Sequence, residues 1–324
     1  MLAAQYRTSG DHAGELQIAR LDQPEPGPGE VLVRVHVSGV NPTDWKSRKG
    51  GGRTTANFDA VVPNQDGAGV IEAVGEGVDG ARVGERVWLW EAQWQRAQGS
   101  AAQWIALPSE QAVPLPDDLS FHFGAGLGIP AMTAHRCLTA DGPVDGEAVL
   151  VTGGAGAVGH AAIELARHLG ARVAATVSND EKARLAEAAG AELVVNYRRD
   201  DVAEAVRDWA PDGVARVVDV DLVANLDASV AVLAANGAIS GYAISQDELS
   251  LPRQLMGLNA VLRCILVYTM PGEAKRRAVA DISAALRAGA LTPLPEHHFP
   301  LEEIAAAHDA VEQGAVGKVL VDVP

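Results

Sequence analysis

Gly154, Gly156 and Gly159 stand at the spacing G-x-G-x-x-G, the pattern by which a polypeptide backbone cradles a pyrophosphate. The first glycine lets the chain turn sharply, and the second lets the backbone come up to a phosphate. The third lets the following helix lie close on the preceding strand. The free N–H groups of that helix's first turn then point at the anion, with the helix dipole behind them. In a chain with 34 glycines the spacing alone decides little, and its surroundings decide more. Ala148 to Thr152 is a short apolar run that reads as a buried strand. Ala155 to Leu169 takes helical spacing, with Val158, Ala161 or Ala162, Leu165 and Leu169 on one face and Gly170 where a left-handed C-cap belongs. A strand, a glycine turn and a helix in that order make this a dinucleotide site, with Ala155, Ala157 and Val158 completing the loop.

The end of the next strand reads the ribose of such a ligand. An NAD enzyme places Asp or Glu there, about 20 residues past the glycines, to accept from the 2′-hydroxyl. Here Val173-Ala-Ala-Thr-Val177 is followed by Ser178, Asn179, Asp180, Glu181 and Lys182. No carboxylate sits on the strand end itself. Asp180 and Glu181 fall in the first turn of the next helix, where the dipole stabilises negative charge.

The elements that must position these residues alternate from Glu147 onward. Strands are expected at Arg172 to Val177, Glu192 to Asn196, Val214 to Val220, Ala238 to Tyr242 and Val261 to Tyr268. Helices are expected at Asp180 to Ala189, Asp201 to Trp209, Leu222 to Leu233 and Glu273 to Arg287. Strands joined by crossover helices imply a parallel, doubly wound sheet, so the fold class is α/β. Val261 to Tyr268, the last β-segment of this half, reads as an edge strand. So apolar an edge invites aggregation unless covered, so two chains are expected to pair these edges across a two-fold axis.

Residues up to about Ser120 read instead as all β. Val31, Val33, Val35 and Val37 alternate with Leu32, Arg34 and His36. Asn41-Pro-Thr-Asp44 reads as a loop in which Pro42 forces Asn41 toward an extended backbone. Asp66 to Gly75 and Arg82 to Trp90 read as strands, and Gly128 to Leu138 as a helix. After proline-spaced Leu291 to Pro300 come a short helix near Leu301 to Glu312 and a terminal strand, Lys318 to Val323, able to return to the first domain.

Length and composition set the bounds. A chain of 324 residues suits two domains, and its 48% hydrophobic content includes no run near membrane-span length. The N-terminus lacks the apolar core of a signal peptide. Cys137 and Cys264, far apart, suit a reducing cytoplasm and exclude a disulfide framework. A formal net charge of −16 disfavours nucleic acid and anionic membranes, so an anionic cofactor must be met by local basic groups. His12, His36 and His122 lack partners at ligand spacing, and His297-His298 are adjacent rather than facing. All read as ordinary surface or core histidines.

Seven stretches resemble the quinone oxidoreductase, or zeta-crystallin-like, branch of the medium-chain dehydrogenases/reductases. They are Ser38-Gly-Val-Asn-Pro-Thr-Asp-Trp-Lys46, Asp66 to Gly75, Val83-Gly-Glu-Arg-Val87, Gly128-Ile-Pro-Ala-Met-Thr-Ala-His-Arg136, the glycine loop, Gly190 to Tyr197 and Gly317-Lys-Val-Leu320. They run nearly end to end in the family's order. The resemblance implies a GroES-like catalytic domain (1–122 and 286–324) interrupted by a Rossmann domain (123–285). It also implies a homodimer, or a tetramer built from dimers, and NADPH-dependent reduction of quinones or activated enones by direct hydride transfer.

The resemblance also implies roles for single residues. A zinc-dependent relative would carry Cys at Asn41 and His-Glu at Gln65-Asp66. Neither is present, so no metal is expected. Ser178, Lys182 and Tyr197 match the hydroxyl, ammonium and phenol with which NADPH-binding quinone reductases meet a 2′-phosphate, which favours NADPH although Glu181 stands beside them. Lys46, Thr133 and Asn225 fall where the family approaches the nicotinamide half or the phosphates. Ser240, Gly241 and Tyr242, then Val267, Tyr268 and Thr269, end the fifth and sixth strands, and Lys318 follows the last glycine turn. Asn41 is the expected donor to a substrate oxygen, with Gln65 a second and Thr133 a third candidate catalytic residue. Asp219 reads equally as a capping carboxylate. Asp44 is assigned a structural role, being no use as a proton donor unless its pKa were raised. Trp45, Trp88, Trp90 and Trp94 could wall a planar substrate or simply pack. Three functions stay open: a quinone reductase, a reductase of 2-alkenals or other enones, and a non-catalytic NADPH-binding protein.

Overall fold

A computed structural model of the chain describes residues 1–51, 57–246 and 248–324. The chain divides into two compact units, residues 1–129 with 295–324, and residues 130–294.

The first unit is built around the strand Glu30–Val40. It pairs antiparallel with Asp66–Val74 on one side. On the other side its first half pairs with Trp104–Pro108 and its second half with Lys318–Asp322. The alternating valines have a direct cause: Val31, Val33, Val35 and Val37 are all buried, while His36 faces solvent. Strands 86–89 and 112–114 extend the sheet beyond Asp66–Val74, and Glu296–Pro300 extends it beyond the C-terminal strand. The C-terminal strand thus closes the first unit, with Val319 opposite Val40 and Leu320 opposite Gly39.

Three elements here differ from expectation. The loop at Asn41 is a short helix, Pro42–Lys46, with Asn41 extended at its N-cap (φ −122°, ψ 161°) as Pro42 demands. The strand expected from Arg82 is confined to Arg86–Leu89, because a 3-10 turn takes Gly80–Arg82. The helix expected at Gly128 starts seven residues earlier, spanning Phe121–Thr139, and the unit boundary falls at its internal Pro130.

The second unit holds six parallel strands: Ala148–Val151, Arg172–Val177, Leu193–Asn196, Val214–Asp219, Leu233–Gly241 and Val261–Cys264. Their spatial order is third, second, first, fourth, fifth, sixth. Order therefore reverses between the first and fourth strands, the place where open parallel sheets bind ligands. Helices Ala157–His168 and Asp180–Ala188 end as the glycines foretell, with Gly170 at φ +87° and Gly190 at φ +100°. The sixth strand is an edge, as expected, but stops at Cys264; Val267–Thr269 is a 3-10 turn.

Candidate functional site

In the second unit the glycine loop has its expected form, and each glycine has its own cause. A Cβ on Gly154 would lie 2.9 Å from that of Ala175 on the second strand. A Cβ on Gly159 would overlap the Gly153 carbonyl oxygen and stand 3.0 Å from Gly154 Cα. These two are glycine because the protein packs there. Gly156 is different: a Cβ there would meet only the Gly153 oxygen at 3.4 Å, so protein packing does not require a glycine. The room lies at the N-cap of helix Ala157–His168, and no side chain caps that helix. First-turn N–H groups have no intrahelical partner, so the loop is built to take an anion. The residues present fit a dinucleotide pyrophosphate.

The neighbouring strand ends bring three expected residues to one edge. Val177 pairs with Asn196, which sets Ser178 beside Tyr197, and the Tyr197 N–H donates to the Val177 oxygen at 3.1 Å. Asn179 caps the next helix by accepting from the Lys182 N–H at 2.9 Å, which fixes Lys182 in the first turn. Tyr197 is exposed, while Ser178 and Lys182 are half-buried. Arg199 escaped the sequence reading. Its guanidinium pairs with Asp180 at 3.1 Å and Asp200 at 3.3 Å, neutralising one of the two acids beside Lys182. The Arg198-Arg199 pair directly after Tyr197 was its signal.

Other expected cofactor contacts sit deeper. Asp219 is fully buried and accepts from Thr152 Oγ1 (3.1 Å), Asn225 Nδ2 (2.8 Å), Ser229 Oγ (3.0 Å) and the Asp221 N–H (3.0 Å). Burial raises its carboxyl above the usual range, and the Asn225, Asp221, Ser229 and Thr152 hydrogen bonds hold it back. Capping of the following helix falls to Asp221, not Asp219. The Asn225 amide thereby ties two strand ends together. Ser240 is sealed from solvent, and a Cβ on Gly241 would press on Leu222 at 2.9 Å, so both belong to the interior; Tyr242 is half-buried. Val267 and Tyr268 are buried and Thr269 is exposed, none of them on a strand end. Thr133 is buried in helix Phe121–Thr139.

The first unit holds a buried polar cluster that sequence spacing does not announce. The Lys318 Nζ donates to Asn41 Oδ1 at 2.8 Å and lies 3.6 Å from Asp66 Oδ2; Asn41 Nδ2 donates to the same Asp66 oxygen at 2.7 Å. The other Asp66 oxygen accepts the Ile129 N–H at 2.8 Å. An ammonium can only donate and a carboxylate only accept, so the Asn41 amide has one orientation. The Asn41 N–H donates to Asp44 at 2.7 Å. Asn41, Asp44, Asp66 and Lys318 are all at most 6% exposed. Burial pushes Asp66 up and Lys318 down, and their mutual attraction opposes both shifts. Burial also carries Asp44 up to about 8, against the Asn41 N–H.

Glycines make room for this cluster. Gly39 lets the Ala125 carbonyl lie on the central strand, the Lys318 stem passes 3.3 Å from where a Gly126 Cβ would be, and a Gly128 Cβ would lie 2.6 Å from the Leu89 oxygen. Lys318 is therefore placed against Asn41 and Asp66. Lys46 is exposed, its ammonium 5.6 Å from the Trp45 ring. Gln65 is locked by Gln93, donating from Nε2 to Gln93 Oε1 at 3.0 Å and accepting the Gln93 N–H at 3.1 Å. Trp88 and Trp90 are core residues, and only Trp45 and Trp94 of the four are half-exposed. A zinc ion does not fit where a zinc-dependent relative would hold one, since the Asn41 oxygen and Asp66 are both taken by a resident ammonium.

Beside the cluster, Asn64 (φ +77°) donates to Ser38 Oγ at 2.9 Å and contacts His308 Nε2 through its Oδ1 at 2.9 Å. Burial, with the Arg48 charge adding to it, lowers the His308 imidazole to about 3. The contact therefore has a neutral ring donating from Nε2. An unfolded histidine takes a proton near pH 6.5, so from there down to about 3 the unfolded state binds more protons and stability falls with pH. The stability gap between wild type and His308→Gln should narrow by about 1.4 kcal/mol per pH unit over that window, measured by urea unfolding. A gap independent of pH would mean that His308 is charged in the fold. Asp44 has the opposite sign, since its raised pKa favours the fold at low pH and is lost through about 8.

Residues 27–117 match the alcohol dehydrogenase GroES-like domain family and residues 157–283 the zinc-binding dehydrogenase family. Human quinone oxidoreductase is 29% identical over 303 residues, covering 92% of this chain and 90% of that protein. The 2-haloacrylate reductase of a Burkholderia species is 33% identical over 297 residues, covering 87% of each. The Thermus thermophilus quinone oxidoreductase, solved alone and with NADPH, superposes with a TM-score of 0.82 at 29% identity, covering 99% of this chain and all of that one. With a GroES-like sheet, a six-stranded parallel sheet and an intact phosphate loop, the chain belongs to the medium-chain dehydrogenase/reductase superfamily of oxidoreductases, among relatives that include the quinone oxidoreductases.

Proposed function

We propose that the protein is an NADPH-dependent, zinc-independent quinone reductase. The observation that carries this reading is the anion site itself: an uncapped helix start with ligand room at Gly156, and Lys182, Ser178 and Tyr197 at the adjoining strand ends. A bound dinucleotide would supply the hydride. The chain's part is to hold the pyrophosphate at the first-turn N–H groups, meet the 2′-phosphate with Lys182, and donate to the acceptor oxygen. Asn41 supplies that donor, because its Nδ2 carries two hydrogens and gives one to Asp66. A second reading, reduction of 2-alkenals or other activated enones, is favoured by the likeness to a 2-haloacrylate reductase. NADPH oxidation with benzoquinone, naphthoquinone and a 2-alkenal separates the two. No turnover with any acceptor, despite tight NADPH binding, would leave a non-catalytic binder.

Cofactor choice gives a sharper test. A charge-assisted hydrogen bond from Lys182 is worth about 1.5–3 kcal/mol, toward the lower end for a half-buried group. Lys182→Ala should raise the Michaelis constant for NADPH about tenfold and leave that for NADH nearly unchanged. Equal effects on both would place Lys182 away from the 2′-phosphate.

The assembly proposed is a homodimer through the edge strand Val261–Cys264. This strand has its outer side unpaired in the sheet order, and Val261, Leu266 and Met256 are exposed around it. Sedimentation should show a dimer at micromolar concentration, and a monomer there would refute the pairing.

A further inference from the structure

We propose that His122, His298 and Asp322 form a binding site for one divalent transition-metal ion, with Zn²⁺ chemistry, on the surface of the first unit. In the sequence these histidines have no partners at ligand spacing, yet the fold brings them together. His122 lies in the first turn of helix Phe121–Thr139. His298 and Asp322 come from the parallel strands Glu296–Pro300 and Lys318–Asp322, where His298 stands opposite Leu320 and Pro300 opposite Asp322. One ligand atom from each of the three residues lies within 4.8 Å of the others.

The contacts are those of an unmetallated ligand set. His122 Nε2 is 2.7 Å from Asp322 Oδ1, and His298 Nδ1 is 3.9 Å from Asp322 Oδ2. The two imidazole rings meet edge to face with centroids 4.6 Å apart. Glu296 Oε2, 3.1 Å from His298 Nε2, is the carboxylate that would orient the ring, leaving Nδ1 on the Asp322 side for the ion. Ligand atoms about 2.0–2.2 Å from a tetrahedral zinc lie about 3.3–3.6 Å from one another. The His122–Asp322 contact must open by less than about 1 Å, and a spacing at the 4.8 Å limit must close by about 1.2–1.5 Å. Half-exposed side chains on fixed backbone can do this by torsion alone.

Two imidazoles with one carboxylate suit zinc, cobalt, nickel or copper, and not magnesium or calcium, which take oxygen. The site is separate from the polar cluster around Asn41. Lys318 and Asp322 occupy opposite ends of one strand, about 13 Å apart at ~3.3 Å per residue. An ion here would clasp the first turn of the helix to the C-terminal strand pair, joining segments far apart in sequence. Binding to the folded chain alone then stabilises it.

The test uses the full chain, stripped with chelator and titrated with Zn²⁺, and with Co²⁺ and Cu²⁺ as spectroscopic probes. The expected result is one ion per chain, a melting temperature that rises with free Zn²⁺, and a Cu²⁺ resonance spectrum with two nitrogen ligands. His122→Ala and His298→Ala should each lower affinity by about tenfold or more and leave one nitrogen ligand. His297→Ala and His12→Ala should change neither. Saturable binding absent from the wild-type protein, or unaltered in both ligand variants, overturns the proposal. If an alanine variant fails to fold, the nitrogen count on the wild-type chain still decides, since fewer than two imidazoles excludes this site.

Discussion

Lys318→Met should destabilise the first unit by roughly 3–5 kcal/mol, the cost of breaking a buried ion pair from one side. Its stem keeps the same length and the same lie against Gly126, so little of the loss would come from packing. What changes is the charge beside Asp66, which is fully buried and keeps only the Asn41 amide and the Ile129 N–H. Burial already pushes Asp66 toward its protonated form, and losing the ammonium removes the principal force against that. Asp66→Asn in the same background should return much of the loss, because the pair then goes together and no lone charge is left behind. Urea unfolding of the two single variants and the double variant measures this directly. A loss below about 1 kcal/mol for Lys318→Met would mean that the pair is neutral in the fold.

The dinucleotide loop was legible because each of its signals is local. A strand, a turn and a helix succeed one another within a few residues, and the glycines act on atoms close in sequence or on the adjacent strand. The same holds for the alternating valines of Glu30–Val40 and for the left-handed glycines at 170 and 190. The early part of helix Phe121–Thr139 was hidden by a different cause. Gly124, Gly126 and Gly128 lower helix propensity and read as a break. They are glycines because Ala68 and Leu115, the Lys318 stem, and Asp66 with Leu89 occupy the space their Cβ atoms would need. Tertiary contact overrode propensity there.

Long-range polar groups were the least legible. Lys318 and Asn41 are 277 positions apart, and nothing in a stretch such as Gly317-Lys-Val-Leu320 says that its ammonium turns inward. Reading that lysine as a cofactor ligand followed the motif, and burial leaves no mark on a motif. The Asn225 amide has a hidden partner too, since Thr152, 73 positions away, lies on another strand's end. His122 and His298 repeat the lesson, because ligand spacing along the chain cannot see ligands that meet across a helix and two strands.

Asn41→Ala should lower turnover on the order of a hundredfold without abolishing it, as expected for loss of one donor in a dry site, about 2.7–4 kcal/mol. The Asn41 amide is held in a single orientation by an acceptor on one side and a donor on the other, so its remaining Nδ2 hydrogen needs no reorganisation to be offered. A quinone's oxygens can take their protons from water, so no side chain has to supply one. Asp44 is the group that could contradict this. Its structural assignment assumed an ordinary carboxyl, and burial carries it up to about 8, which leaves it protonated at neutral pH and chemically able to act as an acid. Its hydrogen bonding opposes that role, since one Asp44 oxygen accepts the Asn41 N–H and ties the carboxyl to its own loop. Asp44→Asn should therefore cost less than Asn41→Ala, and wild-type turnover should not follow a single ionisation near pH 8. Complete inactivity of a folded Asp44→Asn variant, together with a wild-type rate that falls through pH 8, would transfer the chemical role from the amide to the carboxyl.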